Sequence, residues 1–289
     1  MASPGDAFHD AQFGAVRSDI LGHSLPVTAS LVDQQAALFG QACYAPGEVK
    51  VTYGTGAFIL MNTGHTIPTS QFGLVPTVAW SLPDSISYAL DGGIYVAGAA
   101  VQWLRDGLGI IASAEESYQL AMSVPDSGGV YFVPALAGLA APYWDSYARG
   151  TIVGLTRGTT RAHIVRAALE GIAYRTRDVL EAMAQDTGRS ISSIKADGGA
   201  SDNAFLMQSL ADISGVEVRV AAMRETTALG AGFMAGLGAG LWGDQSELAS
   251  LWREAASYGP HKNDEIDRHY QVWLRAVERA KAWVAPDAV

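Results

Sequence analysis

Residues 191–213 read ISSIKADGGASDNAFLMQSLADI and put a strand, a glycine turn and a helix in immediate succession. Ile191 to Ala196 is predicted as a strand that ends in Asp197-Gly198-Gly199. The helix is predicted to start near Ser201 or Asp202 and to run to about Ile213. A further strand is predicted at Val216 to Val220. This alternation of strand and helix favours an α/β layer architecture over a helical bundle or a barrel.

Upstream of this unit the sequence predicts two strand hairpins. Val49 to Tyr53 and Ala57 to Met61 are joined through Gly54-Thr55-Gly56. Thr77 to Leu82 and Ile86 to Leu90 form the second pair. Paired strands followed by alternating helices and strands fit the same α/β class.

The remaining elements are predicted from apolar runs and from the turn-forming residues that separate them. Leu25 to Val32 is predicted as a strand that ends on Asp33, and residues 34–41 as a short helix. The other predicted helices are Val96 to Leu108 after a Gly92-Gly93 turn, Glu115 to Met122, Thr160 to about Gln185, Thr226 to Leu241, Glu247 to Ala256 and Glu265 to Ala285.

Composition narrows the function classes. The 289 residues are 49% hydrophobic and 17% charged, which excludes a disordered or fibrous chain. The net charge of −10 speaks against nucleic acid as a partner, and it requires that any polyanionic ligand be held by backbone N–H groups and local dipoles. One cysteine, Cys43, excludes an intramolecular disulfide framework and favours a buried apolar role.

No targeting or membrane segment is predicted. The first ten residues, MASPGDAFHD, lack the basic and apolar regions of a secretory signal. Thr226 to Trp242 carries no charge, but its many small residues suit a buried core helix better than a membrane span. A cytoplasmic location is therefore predicted.

Glycine-rich turns are the first candidates for a binding site. Tyr53-Gly54-Thr55-Gly56 and Asp197-Gly198-Gly199-Ala200 each follow a strand, where backbone N–H groups can face a phosphate. The alternative for the turn at Thr55 is an ordinary tight turn. The alternative for the turn at Gly198-Gly199 is close packing of the strand against the helix. Gly92-Gly93 is a weaker third candidate. None of them matches a Walker A or G-x-G-x-x-G motif.

Asp33 is the candidate for chemistry. It follows an apolar run and precedes Gln34 and a helix, so its carboxylate could face a cleft and accept a hydroxyl proton. The alternative is a helix N-cap, a role that aspartate fills well. The histidines show no spacing typical of a zinc site, and no metal-ligating residues are predicted.

Together these segments resemble the FGGY family of carbohydrate kinases, in particular its glycerol kinases. The matching stretches are DQQAALFGQ from Asp33, TYGTGAFILMNTG from Thr52, AGAAVQWLRD from Ala97, GLAAPYWDSYARGTIVGLTRGT from Gly138, DGGASDNAFLMQ from Asp197 and ETTALGAGFMAGL from Glu225.

The resemblance implies an actin-like, ribonuclease H-like ATPase fold and the ATP-dependent phosphorylation of glycerol to glycerol 3-phosphate with Mg²⁺. It implies that Asp33 is the catalytic base and that Gln34 binds glycerol. The positions implied to contact ATP or ADP are Thr55, Gly98, Gln102, Gly199 and Asn203.

The resemblance is to the C-terminal lobe of the family. Residues 1–24 form an irregular N-terminal segment, and residues 25–289 match the C-terminal domain. We therefore expect an N-terminal kinase lobe as partner, in cis or in trans, and little activity from this chain alone. A non-catalytic nucleotide-binding module and a kinase for another small polyol are the alternatives. The apolar cleft wall of a lone lobe also makes a homodimer an expectation.

Overall fold

Helices cover both faces of a central seven-stranded sheet in the computed structural model, which describes residues 13–262 and 264–285. The strands are β1 (Ala15–Val16), β2 (Leu25–Pro26), β3 (Glu48–Tyr53), β4 (Ala57–Gly64), β5 (Val75–Leu82), β6 (Ser85–Ile94), β7 (Tyr131–Val133), β8 (Thr151–Val153), β9 (Ser193–Asp197), β10 (Val218–Ala221) and β11 (Glu254–Tyr258). The helices are α1 (Ser18–Leu21), α2 (Asp33–Gly40), α3 (Gly98–Gln102), α4 (Ala114–Met122), α5 (Arg161–Thr187), α6 (Ala204–Ser214), α7 (Thr226–Gly238), α8 (Gln245–Leu251) and α9 (Ile266–Ala280).

The central sheet has the strand order β11-β10-β9-β3-β4-β6-β5. The strands β3, β4, β6 and β5 pair antiparallel, and both predicted hairpins are confirmed. β9 then pairs parallel to β3, and β10 parallel to β9. The carboxyl ends of β3, β9 and β10 therefore meet at one edge of the sheet, which is where open α/β sheets bind their ligands.

The two faces of the sheet carry different layers. On one face, the core contains the odd-numbered side chains of β3, and Tyr53 bonds through its hydroxyl to Thr176 on α5 at 2.9 Å. On the other face, a smaller core forms under α2 and α7. Because side chains alternate along a strand, Lys50 and Thr52 point toward α2. This separation decides which predicted site residues share a cavity.

Helices α2 and α7 approach each other at two glycines. A Cβ atom on Gly230 would lie 1.8 Å from the carbonyl oxygen of Ala36, and one on Gly40 would lie 2.1 Å from the carbonyl oxygen of Thr226. Both obstacles are backbone atoms, which cannot rotate away. The crossing of the two helices therefore depends on the absence of side chains at these positions.

We expect Gly230→Ala to lower the free energy of unfolding by about 1–3 kcal/mol, because the new methyl group forces the two helix backbones apart. Gly232→Ala is the matched control, since a Cβ there meets nothing within 4 Å. That substitution should raise stability by up to about 1 kcal/mol through helix propensity. Urea unfolding midpoints check both values, and an equal response of the two variants would contradict the packing argument.

A buried ion pair within α5 accepts hydrogen bonds from α9. Arg175 Nη1 lies 2.7 Å from Asp178 Oδ2, and both side chains are almost fully buried. The Asp178 carboxylate also accepts from the Tyr270 hydroxyl at 2.9 Å and from Trp273 Nε1 at 3.1 Å. Arg175 in turn donates to the carbonyl oxygen of Ala141 at 2.7 Å. Burial pushes the pKa of Asp178 upward, and the Arg175 guanidinium opposes that shift.

Several sequence predictions are corrected by the structure. Residues 27–32 are irregular rather than a strand, because only Leu25–Pro26 pairs, with β1. The Gly92-Gly93 pair lies inside β6 and is not a turn; a Cβ on Gly92 would meet Val179 Cγ1 at 2.4 Å. The helix predicted at Glu247 to Ala256 ends at Leu251, and residues 254–258 form the edge strand β11.

Two helix predictions need smaller corrections. The predicted helix at Val96 to Leu108 is a short α3 that widens into a π-helical turn at Trp103–Gly107. The Gly-rich helix α7 buries one face only, since Ala228, Ala231 and Gly232 are exposed. Among the described residues, no helix has both the length and the apolar character needed to cross a membrane.

Candidate active site

A cavity of about 600 Å³ opens at the carboxyl edge of the sheet, between the β3–β4 turn, α3, α4 and the segment that leads into α6. All five residues predicted to contact a nucleotide line it: Thr55, Gly98, Gln102, Gly199 and Asn203. Tyr53, Val101, Leu169 and Leu206 supply an apolar floor. A cavity of this volume, largely apolar with a few polar groups, is typical of a small-molecule or cofactor site.

The β3–β4 turn and α3 form one hydrogen-bonded junction. The carbonyl oxygen of Thr55 accepts from the N–H groups of Ala97 and Ala99, and that of Gly54 accepts from the N–H of Gly98. A Cβ on Gly98 would lie 2.5 Å from the Gly54 carbonyl oxygen. Gly98 therefore permits the close approach that fixes the Thr55 turn to α3, while the Thr55 side chain stays exposed.

The turn after β9 forms the opposite wall. Gly198 has a φ of +85°, and a Cβ there would meet the Tyr53 carbonyl oxygen at 2.3 Å, so this glycine packs against β3. A Cβ on Gly199 would meet nothing within 4 Å. The two glycines thus differ: Gly198 has the packing role that the sequence left open, and Gly199 leaves space at the cavity wall.

Helix α6 begins at Ala204, after the N-cap Asn203, rather than near Ser201 or Asp202, because a 3₁₀ turn at Gly199–Asp202 comes between the strand and the helix. The Asn203 side chain caps α6 by accepting from the N–H of Leu206 at 3.1 Å. Its amide nitrogen donates to Ser117 Oγ on α4 at 3.0 Å. Asn203 therefore holds two walls of the cavity together.

Asp33 and Gln34 do not line this cavity. Asp33 is the first residue of α2, on the opposite face of the sheet, and the N-cap geometry falls on Val32. The Asp33 side chain is exposed, and its Oδ1 accepts from the backbone N–H of Gln34 at 2.8 Å. The carboxylate at this position also interacts favourably with the α2 dipole.

Lys50 connects α2 with β3 and was missed by the sequence reasoning. Its ammonium group donates to Gln34 Oε1 and, at 3.1 Å, to Thr52 Oγ1, three residues before Thr55. Asp33 and Gln34 are thereby joined to the strand that ends in the Thr55 turn. The available signal was a lysine inside a predicted strand, since Lys50 stands between Val49 and Val51.

A network of polar side chains lies behind the Gly198-Gly199 turn. Asp197 Oδ2 accepts from Gln41 Nε2 at 2.6 Å and from Thr226 Oγ1 at 2.5 Å, while Asp197 Oδ1 is buried without a partner. Gln41 Oε1 accepts from Trp252 Nε1 at 2.9 Å. This network fixes the end of β9 to α2 and α7, so the turn starts from a rigid position.

The described residues do not build a metal site by themselves. Asp91 Oδ1 and Asp197 Oδ1 are buried without partners, but no group of three or more His, Cys, Asp and Glu side chains in the described ranges is arranged around a common point. Cys43 is fully buried, as predicted, and burial raises the pKa of its thiol to about 12. It is therefore a packed apolar residue rather than a nucleophile or a metal ligand.

Two solved kinase structures superpose on this chain. Plasmodium falciparum glycerol kinase with ADP superposes with a TM-score of 0.89 at 36% identity, covering 95% of this chain and 55% of that chain. Xylulose kinase from Lactobacillus acidophilus superposes with a TM-score of 0.79 at 24% identity, which covers 94% of this chain and 55% of that chain and supports the fold alone. The sheet described above thus belongs to the actin-like, ribonuclease H-like ATPase fold, as predicted.

Sequence comparison identifies the family. Residues 49–239 match the model of the FGGY family of carbohydrate kinases, C-terminal domain. Glycerol kinase 2 of Thermotoga maritima is 54% identical over 272 residues, and the glycerol kinase of Symbiobacterium thermophilum is 55% identical over 274 residues. The chain belongs to the FGGY family of carbohydrate kinases.

Each alignment covers nearly all of this chain but only about half of the relative. The aligned residues are 94% of this chain and 55% of each of these two relatives. The chain therefore spans about half the length of the curated relatives that it matches, and it corresponds to their C-terminal part.

Proposed function

We propose that this chain is the C-terminal lobe of a kinase that transfers the γ-phosphoryl group of ATP to glycerol, giving glycerol 3-phosphate and ADP. The observation that carries this proposal is the cavity that gathers Thr55, Gly98, Gln102, Gly199 and Asn203. Residues 25–289 form the lobe in this proposal. Of the predicted irregular segment 1–24, residues 1–12 lie outside the described residues, and the described part contains β1 and α1. The partner of this chain is an N-terminal lobe, and its location is the cytoplasm.

In the proposed reaction the nucleotide lies in the cavity with its base toward Gly199 and its phosphates toward the Thr55 turn. Asp33 accepts the proton of the attacking glycerol hydroxyl, which strengthens the nucleophile as it approaches the phosphorus. Gln34 binds glycerol beside Asp33. Mg²⁺ is expected to accompany the nucleotide, because it usually keeps several waters and binds substrate phosphates.

The chain alone is expected to turn over slowly, because a lobe that binds the nucleotide without closing over it does not fix the geometry of the reacting atoms. A non-catalytic nucleotide-binding module is the alternative from another class. Such a module would bind a nucleotide in the same cavity but would not use Asp33. A kinase for a different small polyol would use both the cavity and Asp33. Nucleotide binding is therefore the first measurement, and acceptor dependence is the second.

Calorimetric titration with ADP tests the cavity directly. We expect saturable binding to the wild-type chain, and Gly199→Leu should weaken it by at least about tenfold, or 1.4 kcal/mol, since the new side chain projects into open space at the cavity wall. The same space means that the substitution should change the free energy of unfolding by less than about 0.5 kcal/mol.

Gly259→Leu is the control, because Gly259 lies outside the cavity and a Cβ there also meets nothing within 4 Å. It should leave ADP binding unchanged. Absence of ADP binding by the folded wild-type chain would overturn the proposed function. Equal ADP affinities of wild type and Gly199→Leu would show that the nucleotide binds elsewhere.

A further inference from the structure

Three basic residues stand side by side across the sheet. Arg219 on β10, Lys195 on β9 and Lys50 on β3 occupy one register row. Like charges in adjacent positions on one face repel each other, and buried ammonium groups lose their hydration. Each residue in the row therefore needs compensating partners, and those partners differ.

The positive charges of Arg219 and Lys195 are compensated by nearby groups, and both residues have a structural role. Arg219 Nε lies 2.6 Å from Glu254 Oε2, and Lys195 Nζ lies 3.5 Å from Glu48 Oε1. Lys195 also donates to the Ala42 carbonyl oxygen at 2.8 Å, and both cations lie over the ring of Trp252. These contacts hold strands, a loop and the α8–β11 connection together.

Lys50 is the exception in the row. It is fully buried, yet no carboxylate in the described part of the chain lies within 4 Å of its Nζ. Its two hydrogen bonds go to Gln34 Oε1 and Thr52 Oγ1 instead. Burial lowers the pKa of Lys50 to about 8, and Asp197, Asp91, the buried Cys43 thiol and Asp33 each oppose that shift. The group is therefore still largely protonated at pH 7.

A protonated lysine can only donate hydrogen bonds, and this fixes the orientation of the Gln34 amide. An amide can present either its oxygen or its nitrogen to a neighbour, since the two ends have almost the same shape. Because Lys50 accepts nothing, it binds the oxygen end. The NH₂ end then faces outward, where Gln34 Nε2 lies 3.3 Å from Asp33 Oδ2.

We propose that Lys50 is a positioning residue for the acceptor half of the active site: through Gln34 it directs an N–H donor at the Asp33 carboxylate and at the hydroxyl-bearing substrate beside it. The proposal rests on the proposed function, because it assigns Asp33 and Gln34 to the acceptor site. It also predicts that Lys50 affects the acceptor and leaves the nucleotide cavity, on the other face of the sheet, unaffected.

The first test uses the chain itself. In protein labelled with ¹⁵N-glutamine, the Gln34 side-chain amide is assigned by its disappearance in Gln34→Leu. Lys50→Met should shift that resonance and speed the exchange of its hydrogens with water, because the amide loses the donor that holds its oxygen end. Lys195→Met is the matched control, a buried lysine in the same row whose loss should leave the Gln34 resonance in place. An unchanged Gln34 amide in folded Lys50→Met would overturn the proposal.

The second test measures turnover in a chimera that joins the N-terminal part of Thermotoga maritima glycerol kinase 2 to this full chain. We expect Lys50→Met to lower kcat/KM for glycerol by up to about 100-fold, the scale of a misplaced reacting group, with the KM for ATP unchanged. Lys195→Met should leave kcat/KM for glycerol at the wild-type value. Lys50→Met/Gln34→Leu should be no slower than Gln34→Leu, since the two residues act in series.

The two proposals fail in different ways. Wild-type glycerol kinetics in a folded Lys50→Met chimera would overturn the positioning role and leave the kinase function intact. An inactive wild-type chimera that binds no ADP would contradict the kinase function, and the amide resonance would still decide what Lys50 does to Gln34. Folding of Lys50→Met is expected, because replacing a buried ammonium group by an apolar side chain of similar length tends to be neutral or stabilising.

Discussion

Asp33→Asn should lower the rate of glycerol phosphorylation by about 10²–10⁴-fold in the same chimera, because asparagine has the shape of aspartate but cannot accept the hydroxyl proton. The structural cost of the substitution is small. Asp33 is exposed, and its contribution to α2 through the helix dipole is about 0.3–1 kcal/mol. A coupled assay for glycerol-dependent ADP release measures the effect on kcat.

Asp267→Asn is the matched control for Asp33→Asn. Asp267 is likewise an acidic residue in the first turn of a helix, α9, and it lies on neither the cavity nor α2. Its substitution should leave the rate unchanged. ADP affinity should be the same in all three proteins, since Asp33 does not line the cavity. A rate for Asp33→Asn close to that of the parent chimera would remove Asp33 as the base and favour the non-catalytic module.

Asp178→Ala should lower the free energy of unfolding by about 3–5 kcal/mol, because it leaves the Arg175 guanidinium buried without its counter-charge. The hydroxyl of Tyr270 and Nε1 of Trp273 lose their acceptor in the same step. Since these two residues belong to α9, the helix that closes the larger core, detachment of α9 from α5 should accompany the loss. Denaturant unfolding with tryptophan fluorescence measures both.

The double variant Arg175→Met/Asp178→Leu separates the charge from the packing. It removes both charges and should be less destabilised than Asp178→Ala, since the unpaired ion is gone. Glu254→Ala, which breaks the part-exposed pair with Arg219, is the surface control and should cost no more than about 1 kcal/mol. If Asp178→Ala were as mild as Glu254→Ala, the Asp178 carboxylate would contribute little to the stability of the chain or to the attachment of α9.

Sequence reasoning predicted the fold where the local signals agreed. The β3–β4 hairpin and the β9 turn were predicted correctly because glycines follow an apolar run there, and the β5–β6 hairpin because Pro83-Asp84 separates two such runs. Residues 254–256, the end of the helix predicted at Glu247 to Ala256, read Glu-Ala-Ala, which favours a helix locally. Their pairing with β10 is a long-range contact that overrides this propensity.

The sequence predicted single residues that line the cavity, but not how these residues are arranged. The motifs pointed to Thr55 and Gly199, and the structure brings them to one cavity. The sequence could not separate the packing role of Gly198 from the open space at Gly199, since both are glycines in one turn. It also gave Lys50 no role, because the hydrogen bond to Gln34 connects residues that come together only when α2 packs on the sheet.

The cavity has two walls that come from distant parts of the chain, and a strand register determines how far apart they stand. Thr52 and Asp197 are paired across β3 and β9, and each wall follows its strand by two or three residues. A slip of β9 by one residue would carry Gly199 about 3.3 Å along the sheet and turn its neighbours to the opposite face. The close packing of Gly198 against the Tyr53 backbone opposes that slip. The pairing of β3 with β9 therefore sets the position of the Thr55 turn relative to the Gly198-Gly199 turn, and with it the position of the two walls of the ligand space.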